Sequence, residues 1–223
     1  MAVEAPDHPR ASADRTARLR ASPPMFASAV LDRFTRVHVA VVPSVYVPVV
    51  LVQLVWALGL LSPPAAVAAT LAGYLTWTLT EYWLHRVVFH YAPERGIGAR
   101  LHWMLHGVHH DHPNDPLRLV MPPTASLPLG AVFVLAFHLV LPTGAALGLG
   151  AGFFAGYLVY DLTHFYVHHA RPRGRLGRRL RENHMRHHFQ DDSTAYGIST
   201  PLWDRVFGTA PPRRAARGQN VRS

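Results

Sequence analysis

The chain has 223 residues, of which 49% are hydrophobic and only 16% are charged, well below the roughly 25% usual in soluble globular proteins. This length fits one domain, and the absence of cysteine excludes disulfides, thiolate metal ligands and a cysteine nucleophile. The formal net charge is +9, every basic residue is arginine, and beside long apolar runs this charge favours anionic lipid over nucleic acid.

The chain begins with a polar stretch and continues in four apolar segments. Residues 1–24 are rich in Pro, Ala, Ser and Arg without apolar periodicity, and we expect residues 1–38 to form a disordered or surface-lying tail. The apolar segments run from about Val39 to Leu61, from about Pro64 to Tyr82, from about Thr124 to Leu141 and from about Gly144 to Leu162. Stretches of ~18–23 residues match a hydrocarbon core of ~30 Å, so we predict four transmembrane helices rather than core helices of a soluble protein.

The connections between these segments predict their arrangement. The turns at residues 61–64 and 141–144 hold no charged residue, whereas arginines precede the first segment, occupy the middle connection and follow the fourth segment. The positive-inside rule then places both termini and the middle connection in the cytoplasm, with the helices in two tight hairpins. Small residues on the fourth segment predict close helix–helix contact there. They are Gly148, Gly150, Gly152 and Gly156.

The predicted fold class is therefore an all-α integral membrane protein, with four transmembrane helices in two hairpins and a cytoplasmic helical domain rich in histidine. We expect the membrane domain to span residues 39–210, and a disordered basic tail to follow over residues 211–223. Arginine without lysine is a compositional hint of a GC-rich bacterial genome. We thus expect a multi-pass protein of a bacterial inner membrane, with its termini and active site in the cytoplasm.

Histidine is unusually frequent, with 16 residues, and most of them fall into four groups. The groups are His85 and His90; His106, His109 and His110; His164 and His168; and His184, His187 and His188. On a helix, side chains three and four residues apart share a face, so each H-x2-H-H triplet is expected to present three imidazoles to one point, and the H-x3-H pair two. The H-x4-H pair is five apart, roughly 140° around a helix, and is expected to serve different sides of a cluster.

The predicted topology brings all of these histidines to one membrane face, where they suit two metal ions with about five ligands each. Imidazole binds iron, zinc, copper or nickel, and we predict no catalytic side chain beyond the ligands. Because neutral ligands leave the charge of two divalent ions uncompensated, nearby carboxylates are expected to offset it and to orient the rings. Glu81 and Asp161 stand one helical turn before ligands, at the ends of apolar helices, and are predicted to be these partners.

Three other interpretations compete with a two-metal centre. Histidines near a membrane surface are often merely interfacial, but four groups on one face argue against that here. A metal transporter places its ligands near the middle of the bilayer, whereas these lie at its edge. A zinc-dependent hydrolase needs about three protein ligands and a general base, which is fewer ligands than this sequence offers.

The histidine groups resemble those of the fatty-acid hydroxylase superfamily, membrane di-iron enzymes that include sterol desaturases, carotenoid hydroxylases and fatty-acid 2-hydroxylases. The resemblance covers roughly residues 75–210. It rests on His85-Arg-Val-Val-Phe-His90, His106-Gly-Val-His-His110, Asp161-Leu-Thr-His164 with His168, His184-Met-Arg-His-His188, and a C-terminal signature from Tyr196-Gly-Ile-Ser to Phe-Gly-Thr209. The stretch Arg118-Leu-Val-Met-Pro-Pro123, and the placing of His164 54 residues beyond His110, favour the fatty-acid 2-hydroxylases.

The resemblance implies O2-dependent hydroxylation of a fatty acyl chain, at C2 of a fatty acid or of a sphingolipid acyl group. The alternative is a carotenoid or sterol-type hydroxylase or desaturase. The implied cofactors are two iron ions, for which zinc can substitute in a purified sample, O2, and electrons from a separate donor. Some relatives carry an N-terminal cytochrome b5 domain, which residues 1–38 do not match, so we expect a cytochrome b5-like protein or a ferredoxin as the donor.

The remaining expected partners are the membrane and a lipid substrate, with no nucleic acid. Arg118 is a candidate to meet the carboxylate or head-group phosphate of that lipid, because a guanidinium binds both groups well. An ordinary arginine on the cytoplasmic side of the membrane is the alternative interpretation of this residue.

Overall fold

The structure, a computed structural model, describes residues 8–212, and this part of the chain is helical without a β-strand. Its helices are α1 (His8–Arg20), α2 (Ala29–Arg33), α3 (Val41–Leu60), α4 (Pro63–Trp83), α5 (Gly96–His102), α6 (Val108–Asp111), α7 (Pro123–Val140), α8 (Thr143–His169), α9 (Arg175–Phe189) and α10 (Leu202–Val206). Two π-helical turns follow α4 and α5, at Leu84–Phe89 and Trp103–Gly107. The all-α part of the predicted fold class is thus confirmed for the described residues.

Among the described residues, three helices are long and apolar enough to cross a membrane by length and composition, namely α3, α7 and α8. With 21 residues α4 is also long enough. Its threonines, its aromatic residues and Glu81 make it less apolar, so the fourth membrane crossing stays a prediction. Short connections at residues 61–62 and 141–142 join α3 to α4 and α7 to α8, as the two predicted hairpins require.

Helix α8 lies at the centre of the bundle, since it packs against α3, α4 and α7. Most of its apolar stretch is buried, whereas α3 and α7 leave most of theirs exposed. Side chains of α4 and α8 meet in an aromatic cluster, in which the ring of Trp77 lies edge-on to Phe153 and Tyr157. The exposed apolar faces of α3 and α7 form a surface that suits lipid.

Glycines allow α4 and α8 to approach each other closely. A Cβ atom at Gly152 would lie 1.8 Å from the carbonyl oxygen of Thr70, and one at Gly73 would lie 2.0 Å from that of Leu149. Gly148, Gly150 and Gly156 of α8 lie against side chains of the neighbouring helices, those of Ala69, Gln53 and Trp77. The predicted close contact is therefore confirmed, and it sets the distance between two helices that carry histidines.

The segment predicted as an N-terminal tail contains α1 and α2 in its described part. Asp32 of α2 is buried and accepts hydrogen bonds from Arg118 at 2.9 Å and from Arg36 at 3.1 Å. Arg118 also donates to the carbonyl oxygen of Pro23. These contacts fasten residues 23–36 to the middle connection. The domain boundaries themselves stay predictions, and residues 213–223 of the predicted basic tail lie outside the described residues.

Candidate metal centre

His85 and His90 lie at the π-helical turn that continues α4. The amide of His90 donates to the carbonyl oxygen of His85, 3.2 Å away, so this hydrogen bond spans five residues and side chains five apart share a face. Their Nε2 atoms lie 3.3 Å apart. The expectation that this pair serves different sides of a cluster is therefore wrong, because it assumed the regular 3.6 residues per turn.

Each H-x2-H-H triplet is divided between two groups, so the expectation that it presents three rings to one point is also wrong. In both triplets the two histidines that are four residues apart stay together, and the third turns to the other group. The third members are His109 and His187. At about 100° per residue, a side chain at i+4 lies about 40° to one side of position i, whereas one at i+3 lies about 60° to the other.

The ten histidines predicted as ligands form two groups of five, within each of which the imidazole nitrogens lie within 4.8 Å of one another. The first group consists of His85, His90, His106, His110 and His187. The second group consists of His109, His164, His168, His184 and His188. Facing Nε2 atoms are 2.7–3.3 Å apart. No other described histidine joins either group.

This geometry fits a metal ion at the middle of each group. A neutral imidazole carries a single N–H, so five rings that turn their nitrogens to one point cannot satisfy one another by hydrogen bonds. Metal bonds of about 2.1 Å that meet at right angles place neighbouring nitrogens about 3.0 Å apart, which is the spacing between the facing Nε2 atoms here. Both groups can therefore hold a metal ion.

Burial keeps the rings in the neutral form that metal binding requires. Loss of solvation, with a contribution from His187, lowers the pKa of His90 to about 4 and that of His110 to about 3. Desolvation likewise holds the pKa of His106 and of His184 well below the usual value. At neutral pH these nitrogens carry lone pairs rather than extra protons.

Backbone carbonyl groups orient two rings of the first group. The Nδ1 atom of His85 lies 2.6 Å from the carbonyl oxygen of Tyr196, and that of His187 lies 2.7 Å from the carbonyl oxygen of Thr194. Because a carbonyl oxygen only accepts, Nδ1 must carry the proton in both rings and Nε2 is left free for a metal. In the second group, the buried Nδ1 atoms have no such partner among the described residues. These atoms belong to His168, His184 and His188.

Glu81 and Asp161 are buried near the two groups, and neither forms a direct hydrogen bond to a histidine among the described residues. Glu81 accepts instead from the amides of residues 198 and 199 and from a serine hydroxyl. Asp161 accepts from the Tyr157 hydroxyl at 3.0 Å and from the Met121 amide at 3.4 Å. Both acids therefore accept from buried N–H groups outside the helices, and their predicted role in orienting the rings stays a prediction.

A cavity of about 360 Å³ borders the histidines. Its wall includes His106, His109 and His164, and the rest is mostly apolar, with side chains from α2, from the π-helical turns and from the start of α7. A narrower apolar cavity adjoins it and shares Phe89, Met121 and Tyr160 with it. This second cavity lies among α4, α7 and α8, and its volume of about 20 Å³ leaves room for about one water molecule.

Arg118 also lines the wider cavity, but its charge is already compensated. Its guanidinium is paired with Asp32 at 2.9 Å, and the Arg118 side chain is 1% exposed. This pairing favours neither interpretation of Arg118 drawn from the sequence and gives it a third role, which is to hold α2 against the middle connection.

The sequence model of the family described as fatty acid hydroxylase matches residues 70–209, a range that contains both histidine groups. The chain belongs to the fatty acid hydroxylase family. This hydroxylase is 38% identical over 196 residues to the dihydroceramide fatty acyl 2-hydroxylase FAH2 of Arabidopsis thaliana, with 87% of the chain and 82% of the relative covered. It is 37% identical to the ceramide very long chain fatty acid hydroxylase scs7 of Schizosaccharomyces pombe, with 86% of the chain and 56% of that relative covered.

A solved structure agrees with this assignment. The hydroxylase superposes on full-length scs7p, of which only the hydroxylase domain is visible, with a TM-score of 0.81 and 36% identity. The match covers 87% of this chain and 74% of the other. The resemblance drawn from the sequence is thereby confirmed. The relatives named here come from a plant and a yeast, so the expected bacterial origin stays a prediction.

Sequence reasoning missed some residues of the hydroxylase's site. Asp204 is fully buried and accepts from the amides of Tyr196 and Gly197, both at 2.9 Å. Asp204 follows Trp203 directly within the C-terminal signature quoted above, and this position could have marked it as a candidate site residue. No sequence feature could have identified the carbonyl oxygens that accept hydrogen bonds from His85 and His187, because every residue carries a carbonyl group.

The free energy of unfolding of the metal-free hydroxylase is expected to fall as the pH drops below about 6.5. In the unfolded chain the histidines take up protons near pH 6.5, whereas burial keeps His90 neutral to about pH 4 and His110 to about pH 3. The unfolded state then binds more protons, which destabilises the folded state in this window. Thermal unfolding of chelator-treated protein between pH 8 and 5 measures this, and a flat profile would contradict it.

Proposed function

We propose that this protein uses O2 and a two-iron centre to hydroxylate a fatty acyl chain at C2. The observation that carries the proposal is the contact between the two five-histidine groups and a cavity with mostly apolar walls. The names of the relatives, which are a dihydroceramide fatty acyl 2-hydroxylase and a ceramide very long chain fatty acid hydroxylase, support an acyl chain as the substrate. They favour the acyl group of a sphingolipid over a free fatty acid.

The first histidine group would hold one iron ion and the second group the other. Iron bound there supplies O2 activation, by which O2, two electrons and two protons convert one C–H bond to C–OH and release one water. Imidazole also binds zinc, so zinc is an expected occupant of protein purified without added iron.

The protein's own residues place the acyl chain relative to the histidines. C2 is one bond from the carbonyl carbon, so both must lie in the wider cavity beside His106, His109 and His164. The remaining methylene groups would follow the apolar wall of the wider cavity, past Phe89 and Tyr160, because the narrower cavity, at about 20 Å³, is too small to hold them. Burying the chain there removes apolar surface from water and fixes the position of C2.

We propose that the fourth crossing is α4, and that the termini and the histidine groups lie on the cytoplasmic side. The uncharged hairpin turns and the arginines of the other connections support this orientation.

A separate cytochrome b5-like protein or ferredoxin would supply the electrons. The exposed face of α9 carries Arg175, Arg178 and Arg179, a positive surface that suits an acidic donor, and the buried face of the same helix carries His184 and His187.

The proposal is tested by mass spectrometry of the lipids of a host that makes no 2-hydroxy lipids, expressing this chain with an electron donor. We expect 2-hydroxy acyl groups with the intact chain and with His38→Ala, an exposed histidine outside both groups. We expect none with the double variant His187→Ala, His188→Ala. Separating lipid classes before hydrolysis distinguishes a sphingolipid from a free acid. If the acyl lipids are unchanged although the protein is inserted in the membrane and the donor is active, the proposal is contradicted. A sterol or carotenoid substrate is then favoured.

A further inference from the structure

Residues 194–199, called the strap below, pass beside the first histidine group. The carbonyl oxygen of Thr194 accepts from His187, and that of Tyr196 accepts from His85. Ala195, between them, has a φ of 60°, a left-handed conformation that is uncommon for residues other than glycine. Such a conformation persists only where surrounding contacts hold it, so the strap must be fixed from outside.

Two buried carboxylates fix the strap. The amides of residues 196 and 197 donate to Asp204, both at 2.9 Å, and the amides of residues 198 and 199 donate to Glu81 at 2.7 and 2.8 Å. Four consecutive N–H groups are therefore held by two side chains, of which Glu81 is 3% and Asp204 0% exposed. Each carboxyl oxygen offers lone pairs to these N–H groups, and leaving a buried N–H group without an acceptor would be costly.

The two acids belong to different parts of the fold. Glu81 lies on α4, one turn before His85, and Asp204 lies on α10. Thr209 ties the strap to α10, because its carbonyl oxygen accepts from the Ala195 amide at 2.9 Å and its hydroxyl donates to Asp204 at 2.8 Å. The strap is thus clamped between the end of α4 and the C-terminal segment.

We propose that Glu81 and Asp204 are positioning residues, which act through the strap to fix the proton on Nδ1 and the orientation of His85 and His187. They thereby determine the metal affinity of the first histidine group and leave that of the second unchanged. The inference rests on the proposed function in so far as it assumes that the groups bind metal. Its selectivity follows from the geometry, since both carbonyl-held rings belong to the first group.

The test is the metal content of the purified full chain after dialysis against a chelator of graded strength. In Asp204→Asn one oxygen acceptor becomes an NH2 group, which faces an N–H of the strap instead of accepting from it. We expect two metals per chain in the unaltered protein and one in Asp204→Asn, with an affinity loss of about 10–100-fold confined to one site. Glu94→Gln, which changes an exposed acid outside the strap and outside both histidine groups, is the control and should keep both.

Substitutions of Glu81 separate positioning from general loss of structure. The amide oxygen in Glu81→Gln can still accept from both strap amides, so this variant should keep two metals, whereas Glu81→Ala should keep one. Cobalt(II) substitution identifies the site lost, because the absorption bands of one site should vanish while those of the other persist.

Retention of both metals in Asp204→Asn and Glu81→Ala, or equal loss from both sites, would overturn the strap proposal alone. An unaltered chain that binds no metal would overturn the proposed function and the strap proposal with it.

Discussion

Replacing His109 with alanine is expected to abolish acyl hydroxylation and to remove one of the two metals that we propose the histidine groups bind. The Nε2 atom of His109 lies 3.0 Å from those of both His164 and His188, so it faces two other rings of the second group. Removing it leaves four ligands and opens the group towards the wider cavity, which His109 lines. Mutation of a residue that hydrogen-bonds to a metal ligand typically lowers the metal affinity by about 10–100-fold. Removal of a direct ligand is expected to lower it further.

This prediction is measured by metal analysis and by hydroxylation turnover on the same preparation. The matched control is His38→Ala, because His38 is exposed and belongs to neither group. We expect the control to keep two metals and full turnover. A His109→Ala protein that turns over within about tenfold of the unaltered chain would show that this ring is no ligand.

Replacing Gly152 with leucine is expected to prevent α4 and α8 from packing. A Cβ atom there would lie 1.8 Å from the carbonyl oxygen of Thr70 and 2.8 Å from the amide nitrogen of Tyr74. Both are backbone atoms, so no side-chain rotation relieves the clash and the helices must separate. Overpacked cores lose about 1–3 kcal/mol, and a clash with backbone is expected to reach or exceed the upper value.

The yield of monodisperse protein and its thermal midpoint in detergent measure the effect of Gly152→Leu. Gly59→Leu is the matched control, since it makes the same change on α3 at a site with nothing within 4 Å of the added Cβ. Because α8 carries His164 and α4 leads into His85, both metals should be lost with the fold. Normal yield and midpoint for Gly152→Leu would mean that the two helices do not pack as described.

Local spacing is enough to predict much of the site. Histidine pairs three or four residues apart must lie on one side of a regular helix, and short uncharged turns restrict the helices to hairpins. Together these two properties of the sequence predict that all ten histidines meet in one place. The π-helical turn at His85 could not be foreseen, because an inserted residue in a helix has no compositional signature and depends on what the tertiary structure needs there.

The hydrogen-bond partners of the buried carboxylates also could not be predicted from the sequence. Glu81 was rightly singled out as a costly buried acid, but its partner is a strap more than a hundred residues further along the chain. Asp32 and Arg118 likewise meet only because the N-terminal segment folds back over the middle connection. Pairings of this kind follow from tertiary structure, on which helical periodicity carries no information.

The strap has a consequence for the order in which the protein matures. Three of the proposed ligands lie on α9, and the carbonyl groups that accept hydrogen bonds from His85 and His187 come later still, at residues 194 and 196. During synthesis the hydrophobic helices must therefore enter the bilayer while both histidine groups are incomplete. If the two groups hold iron as proposed, stable loading has to follow translation, because the first group is complete only once the strap and Thr209, which ties the strap to α10, have been made.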